Sequence, residues 1–334
     1  MLDAMQNNKI TYINPTQIPA AITTNVPLKT KAWFGTGGAA RYYTEPTTEQ
    51  ECVHALEFAR SHSLPIFVLG HGANILISDA GFNGLVIHPK LQDIKIVNTS
   101  ISNCDIYLSV GAGMGMPDLI NYCLDNNILG LEEFSGIPGT VGGSVYINLH
   151  YYEFLLEQFI ISARVIDTVT GEIISVDKSW FDFGYNTSKL HNKNYFLVSA
   201  VFKLTRGSDL ETAYARGRSV EITRHRKSRY PYSNTCGSFF RNFHDNEVSL
   251  IINNKKIIYV AYYLDKIGVK GQLRVNNAQV SHQHANMIVN MGNATSADII
   301  NLARAMQELV HKEFGIMPQA ECQFIGFDTY PLHS

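Results

Sequence analysis

The chain has 334 residues, 45% of them hydrophobic and 17% charged, with a formal net charge of −2. This length predicts two or three domains with substantial cores, and the near-neutral balance speaks against nucleic acid or an anionic membrane surface as a partner. Five scattered cysteines without a Cys-x-x-Cys pair argue against a metal site and fit reduced thiols. The absence of a signal-like start in residues 1–30 and of any bilayer-length apolar run predicts a cytoplasmic protein.

Residues 1–30 read as an irregular arm punctuated by Pro15, Pro19 and Pro27. Thr47 with Gln50 predicts a capping box opening a helix whose apolar face is Cys52, Ala55, Leu56 and Ala59. A strand at 66–69 runs into a first glycine loop, Gly-His-Gly-Ala-Asn at 70–74. Short strands are predicted at 75–78, 84–87 and 105–110, and Pro117 fits the first position of a helix reaching about Asn127. The second glycine loop is Gly-Ile-Pro-Gly-Thr-Val-Gly-Gly-Ser at 136–144. Segments 164–168 and 172–176 flank Thr170 and Gly171 as a hairpin; a strand at 195–202 and a helix at 210–226 follow, with a domain boundary between about Leu204 and Leu210. Further on, a helix at 257–264 ends at Gly268, and 285–290 reads as a buried strand. Thr295 caps a helix with Ile299, Leu302, Ala303, Met306, Leu309 and Val310 on one face and Gly315 as its stop. Mixed elements of this kind are unlike a pure sandwich or a bundle.

Four groups of residues carry chemical signals. Glycine lets the backbone approach a ligand closely and adopt positive φ, so its N–H groups can line an anion cradle. Either loop alone reads as an ordinary turn or as part of a ligand cradle; the two together suggest a ligand with two phosphates or an extended dinucleotide, held by Gly70, His71, Gly72, Ala73, Asn74 and Ile75 from the first and by Gly136, Ile137, Pro138, Gly139, Thr140, Gly142, Gly143 and Ser144 from the second. Neither follows the Gly-x-Gly-x-x-Gly pattern of a Rossmann unit. Ser238, between a glycine and two phenylalanines, lacks the Gly-x-Ser-x-Gly elbow of hydrolases and reads as a proton donor or a plain turn serine. Glu321, in an apolar strand context, is either paired or functional. The basic run from Arg216 to Arg229 is either a solvated helix face or a phosphate clamp.

Taken together, several motifs resemble the UDP-N-acetylenolpyruvoylglucosamine reductase (MurB) family. They are Trp-Phe-Gly-Thr-Gly-Gly-Ala-Ala at 33–40, both glycine loops, Phe-Gly-Tyr at 183–185, Cys-Gly-Ser-Phe-Phe-Arg-Asn at 236–242, Gln-Val-Ser-His-Gln-His-Ala-Asn at 279–286, and Glu321. They occur in the family's order over about 31–327 and match its shorter form. The resemblance implies an α+β chain: an FAD-binding domain of the vanillyl-alcohol oxidase (PCMH) type at 31–207, in two subdomains. A MurB-type C-terminal substrate domain at 208–328 follows, its last strand returning toward the flavin. It further implies non-covalent FAD, NADPH as co-substrate, and reduction of UDP-N-acetylglucosamine enolpyruvate to UDP-N-acetylmuramate for peptidoglycan. In that reading Ser238 supplies a proton, Glu321 orients the developing enol, and Tyr185, Arg229 and Asn242 bind the nucleotide sugar, with Lys227 beside them.

The chain departs from the family pattern at several positions. Asn186 stands where the motif has an arginine for the enolpyruvyl carboxylate, with His191 and Lys193 near in sequence as substitute cations. The pattern Asn-Ala-Gly-Ala-Tyr-Gly is Asn-Leu-His-Tyr-Tyr-Glu at 148–153, and His71 and Ala73 replace glycine and serine in the first loop. These changes leave open an FAD oxidoreductase with another substrate, or a flavin-binding protein without activity.

Overall fold

The computed structural model describes residues 18–100 and 104–333. The arm expected over 1–30 lies outside the described residues up to Gln17; its last part is not irregular but forms β1 (Thr23–Pro27), which pairs antiparallel with β2 (Ala39–Thr44). Next come α1 (Glu49–Ser61), β3 (Ile66–Val68), β4 (Ile75–Ile77) and β5 (Phe82–Ile87). The first sheet has the order β1-β2-β5-β3, with β5 parallel to both β2 and β3. Helix α1 covers it, burying Cys52, Ala55, Leu56, Phe58 and Ala59 against Leu85 and Ile87. Its cap is Thr48 rather than Thr47, because Glu51, not Gln50, is the third helical residue and reaches back to the cap.

A second sheet is antiparallel throughout. It contains β6 (Ile94–Ser100), β7 (Asp105–Gly111), β8 (Ile128–Leu129), β11 (Ile160–Asp167), β12 (Ile173–Asp177) and β13 (Tyr195–Arg206), in the order β12-β11-β13-β7-β6, with β8 on the end of β13. Between them lie α2 (Met116–Asp125), α3 (Val141–Tyr146) and the small hairpin of β9 (His150–Tyr151) and β10 (Phe154–Leu155). The second glycine loop is therefore only partly a loop: from Val141 it is the helix α3, capped by the Thr140 hydroxyl, which accepts from the Gly143 amide at 3.2 Å. Burial of Val141 and Val145 beside Leu119, Phe134 and Phe202 draws these glycines into helical backbone. Pro117 takes the second, not the first, helical position of α2.

Helix α4 (Asp209–Arg229) starts from a capping box of Ser208 and Glu211. Its Ala215 is buried in the core of the second sheet. The remaining chain holds the hairpin β14 (Ile251–Ile252) and β15 (Lys255–Lys256), α5 (Val260–Lys266), then β16 (Arg274–Val275), β17 (Ala278–Val280), β18 (Ile288–Asn290), α6 (Ser296–Phe314) and β19 (Gln323–Ile325). β16, β17 and β18 make a small antiparallel sheet packed on α6. The helix expected from Ile257 begins at Val260, and the strand expected from Ala285 begins at Ile288. Thr295 caps α6 and Gly315, at φ 69°, ends it, as its sequence predicts. Leu309 is 37% exposed and does not join the buried stripe.

β19 leaves its own lobe and pairs in parallel with β4, Gln323 opposite Ile75. This crossing brings the end of the chain to the strand that follows the first glycine loop.

Candidate active site

One cavity of about 1490 Å³ runs between the lobes, lined by both glycine loops, the Ser238 segment and the approach to β19. Pockets for a single small ligand span roughly 300–1,000 Å³, so there is room for a dinucleotide and a second ligand. Every residue singled out from the sequence as cofactor-binding, substrate-binding or catalytic lines this cavity.

The loops meet each other. A Cβ on Gly70 would lie 2.6 Å from the Thr140 hydroxyl oxygen, and Gly72 (φ 64°) backs onto the Ala32 backbone, where a Cβ would come within 2.8 Å of its Cα. Among the described residues, the amides of Gly70, His71, Gly72, Ala73 and Asn74 donate to no protein acceptor, and neither do those of Gly139 and Thr140. Backbone amides without a protein acceptor are a minority in folded proteins; a run of five along one half-buried cavity wall suits the pyrophosphate of a dinucleotide. The residues present therefore fit FAD. His71 lies on this wall, and burial, assisted by Lys90, holds its imidazole below the ordinary value and hence neutral.

Ser238 and Glu321 come together through their backbones. The Glu321 amide donates to the Phe239 carbonyl at 2.9 Å, the Arg241 amide to the Gln319 carbonyl at 2.9 Å, and Phe240 bridges Ala320. Asn286 clamps the other side: its Oδ1 accepts from the Phe240 amide at 3.1 Å, and its Nδ2 donates to the Phe240 carbonyl at 2.7 Å. Phe239 and Phe240 are fully buried, each contributing about 1.5–3 kcal/mol, so the segment is anchored. Gly237, at φ 80°, turns the chain so that Ser238 faces the cavity. Behind them the Cys236 and Cys322 side chains hydrogen-bond each other. Neither the Ser238 hydroxyl nor the Glu321 carboxyl has a protein partner among the described residues.

Burial pushes the Glu321 carboxyl up from 4.5 to about 7. A carboxyl that holds its proton more tightly when folded opposes folding increasingly as pH rises from its unfolded value to its folded one. The cost is fully present above about pH 7 and is on the order of 3 kcal/mol. Glu321→Gln is therefore expected to be more stable than the native protein at about pH 8, by about 1–3 kcal/mol, and equal to it near pH 4. Urea denaturation across that range reads the difference; equal stability at the alkaline end contradicts an unpaired buried carboxylate.

On the opposite wall the Tyr185 hydroxyl hydrogen-bonds the Asn242 side chain and feels the charge of Glu321. Asn186 follows at φ 56°, its Nδ2 buried with no partner. Of the two substitute cations expected near it, His191 is stacked on Tyr146 at 3.9 Å with Nδ1 turned to the Ser188 backbone, and Lys193 is exposed. Arg229 and Lys227 are both exposed at the rim, over the rings of Tyr230 and Tyr232.

Arg226 is the residue that sequence reasoning missed. Its guanidinium lies 5.4 Å from the Tyr151 ring centre and 5.2 Å from that of Tyr230, and its Nε donates to the Gly136 carbonyl at 3.2 Å. It makes no ion pair among the described residues, and burial lowers its affinity for the proton. The signal was available: Arg226 is four residues beyond the buried Ile222, on the inner face of α4.

A wall of free amides, a half-buried cation and a serine–carboxyl pair around one large cavity fit an enzyme that holds a nucleotide cofactor beside a second ligand. The comparisons agree with that class. Residues 40–177 match the profile of an FAD binding domain, and residues 228–325 match that of the UDP-N-acetylenolpyruvoylglucosamine reductase C-terminal domain. The UDP-N-acetylenolpyruvoylglucosamine reductases of Clostridium tetani and Exiguobacterium sibiricum are 31% and 32% identical to the chain, each match covering 92% of it and 93% of the relative. The crystal structure of the Thermus caldophilus enzyme (MurB) superposes with a TM-score of 0.72 at 26% identity, over 91% of this chain and 98% of that one. The chain belongs to the UDP-N-acetylenolpyruvoylglucosamine reductase family.

Proposed function

We propose that the chain reduces UDP-N-acetylglucosamine enolpyruvate to UDP-N-acetylmuramate at the expense of NADPH, as a step in making peptidoglycan precursor. The single observation that carries this is the unpartnered Ser238–Glu321 pair, facing a cavity whose other wall is a run of free amides. FAD, when bound, supplies the two-electron relay between NADPH and the vinyl carbon.

The chain's own residues do the rest. The amides of 70–74 and of Gly139 and Thr140 hold the pyrophosphate, with Gly142, Gly143 and Ser144 shaping the floor. Ser238 Oγ donates the proton that the reduced double bond requires on its second carbon. Glu321, whose carboxyl is pushed up to about 7, donates or shares its proton with the developing enol and so keeps negative charge from building there. Tyr185 and Asn242, already hydrogen-bonded to each other, and Arg229 at the rim, hold the nucleotide sugar. The FAD-binding domain spans 31–207 and the substrate domain 208–328; the crossing of β19 to β4 is what lets Glu321 serve a ligand held by the first. Among the described residues no helix is long and apolar enough to cross a membrane, and a nucleotide-sugar substrate fits a cytoplasmic enzyme.

The match over nine-tenths of the chain to relatives of that name favours this reading over an oxidoreductase with another substrate or an inactive flavin binder. The purified protein is expected to be yellow, and to consume NADPH only when the enolpyruvyl nucleotide is added. A colourless protein, or NADPH consumption indifferent to that nucleotide, contradicts the assignment.

A further inference from the structure

Two thiols beside the reacting groups take no part in the roles above. Cys236 opens the motif that carries Ser238, and Cys322 follows Glu321 immediately before β19. Their side chains hydrogen-bond each other. Each is only 3% exposed, yet both line the cavity, and no other cysteine among the described residues does. Cys52 and Cys123 are buried in apolar cores, and Cys104 is exposed. The two segments are joined at Phe239, whose carbonyl accepts from the Glu321 amide at 2.9 Å and from the Cys322 amide at 3.3 Å. Residues 235–238 make no backbone hydrogen bond among the described residues, so this stretch is the yielding part of the site.

Two thiols already in contact form a bond with each other more readily than with any partner from solution, because their approach is prepaid by the fold. We propose that Cys236 and Cys322 are a site of reversible oxidative modification, a dithiol that hydrogen peroxide entering the cavity converts to a disulfide, and that this bond stops the enzyme. Burial pushes the Cys322 thiol up, so the first attack falls to Cys236. Its sulfur takes one peroxide oxygen, the O–O bond breaks and water leaves, which gives a sulfenic acid. The Cys322 sulfur then displaces that hydroxyl as a second water and the S–S bond forms. The two thiols give up two electrons and two protons, and the peroxide takes both. A disulfide holds its sulfurs about 2 Å apart, inside hydrogen-bond contact, so the segments must close on each other. Phe239 and Phe240 are fixed by burial and by Asn286, and the shift therefore falls on the unbonded stretch that includes Ser238. Moving a reacting group by about 1 Å costs about 10²-fold in rate.

The test treats the flavin-loaded protein with hydrogen peroxide, caps the remaining thiols, and reads the intact mass and the proteolytic peptides. Turnover, an arm that rests on the function proposed above, is followed before treatment, after it, and after dithiothreitol. The expected result is a mass lower by two hydrogens, a peptide pair joined through Cys236 and Cys322, and turnover reduced about 10²-fold until dithiothreitol restores it. Cys322→Val and Cys236→Ala, each compared with itself before treatment, are expected to keep their turnover under peroxide. Absence of the joined peptides, or oxygen atoms added to either thiol in place of the bond, overturns the proposal. So does a crosslink that leaves turnover unchanged, or a loss that persists in both variants. The mass needs no turnover: if the untreated protein is inert toward the enolpyruvyl nucleotide, the proposed function is what fails, and the joined peptides still decide the modification site.

Discussion

Ser238→Ala is expected to lower turnover of UDP-N-acetylglucosamine enolpyruvate by about 10²–10⁴-fold, the usual worth of a positioned proton donor, while NADPH still reduces the flavin. The expectation follows from geometry. The Ser238 hydroxyl has no structural bond to lose, so its removal leaves the hydrogen bond between Phe239 and Glu321, the Asn286 clamp and the two buried phenylalanines in place. What disappears is the one hydroxyl that the 236–242 motif aims into the cavity beside Glu321. Single-turnover kinetics separates the halves: flavin reduction persists and flavin reoxidation by the enolpyruvyl nucleotide stalls. If reduction by NADPH fails as well, Ser238 shapes the flavin site and is not the donor.

Gly70→Val is expected to yield a folded protein that retains almost no FAD. The first β-carbon alone would sit 2.6 Å from the Thr140 hydroxyl oxygen, and that oxygen caps α3. Relief requires the two loops to part, which spreads the free amides of 70–74 away from those of Gly139 and Thr140. A cradle displaced by even an ångström loses hydrogen bonds of the charge-assisted kind, each worth about 1.5–3 kcal/mol, so affinity is expected to drop by more than about 10²-fold. Flavin content of the purified variant, with circular dichroism as the check on folding, reads the outcome. A folded variant with one FAD per chain contradicts the claim that the loops jointly hold a single cofactor.

Short-range features of this chain were legible in its sequence. Thr295 with Asp298 and the stop at Gly315 define α6, and the two glycine loops announce close backbone approach. Errors of one residue arise where two residues compete: Thr47 and Thr48 both bond Glu51, and only geometry makes Thr48 the cap. The glycines of 141–144 argue against helix, yet the buried Val141 and Val145 impose it. Leu309 has the spacing of a core residue but stands at the edge of the stripe. β1 was hidden in an arm rich in prolines because its pairing partner is set by the sheet and not by its own composition.

The candidate site divides along the same line. Site residues carried by distinctive motifs could be named from sequence, and the cavity gathers those singled out as cofactor-binding, substrate-binding or catalytic. Arg226 lies outside those motifs and is passed over, because its surroundings, Gly136 and Tyr151, come from segments far away in the chain. For Arg226 the helical period of α4 points inward, but its neighbours Lys227 and Arg229 carry the same charge, and composition alone does not choose among them.

The most direct measurement is stopped-flow reoxidation of the NADPH-reduced protein by UDP-N-acetylglucosamine enolpyruvate in the absence of oxygen. The geometry predicts rapid return of the oxidised flavin spectrum with one UDP-N-acetylmuramate formed per flavin. A reduced flavin that persists in the presence of saturating nucleotide contradicts the assignment of this cavity to that reaction.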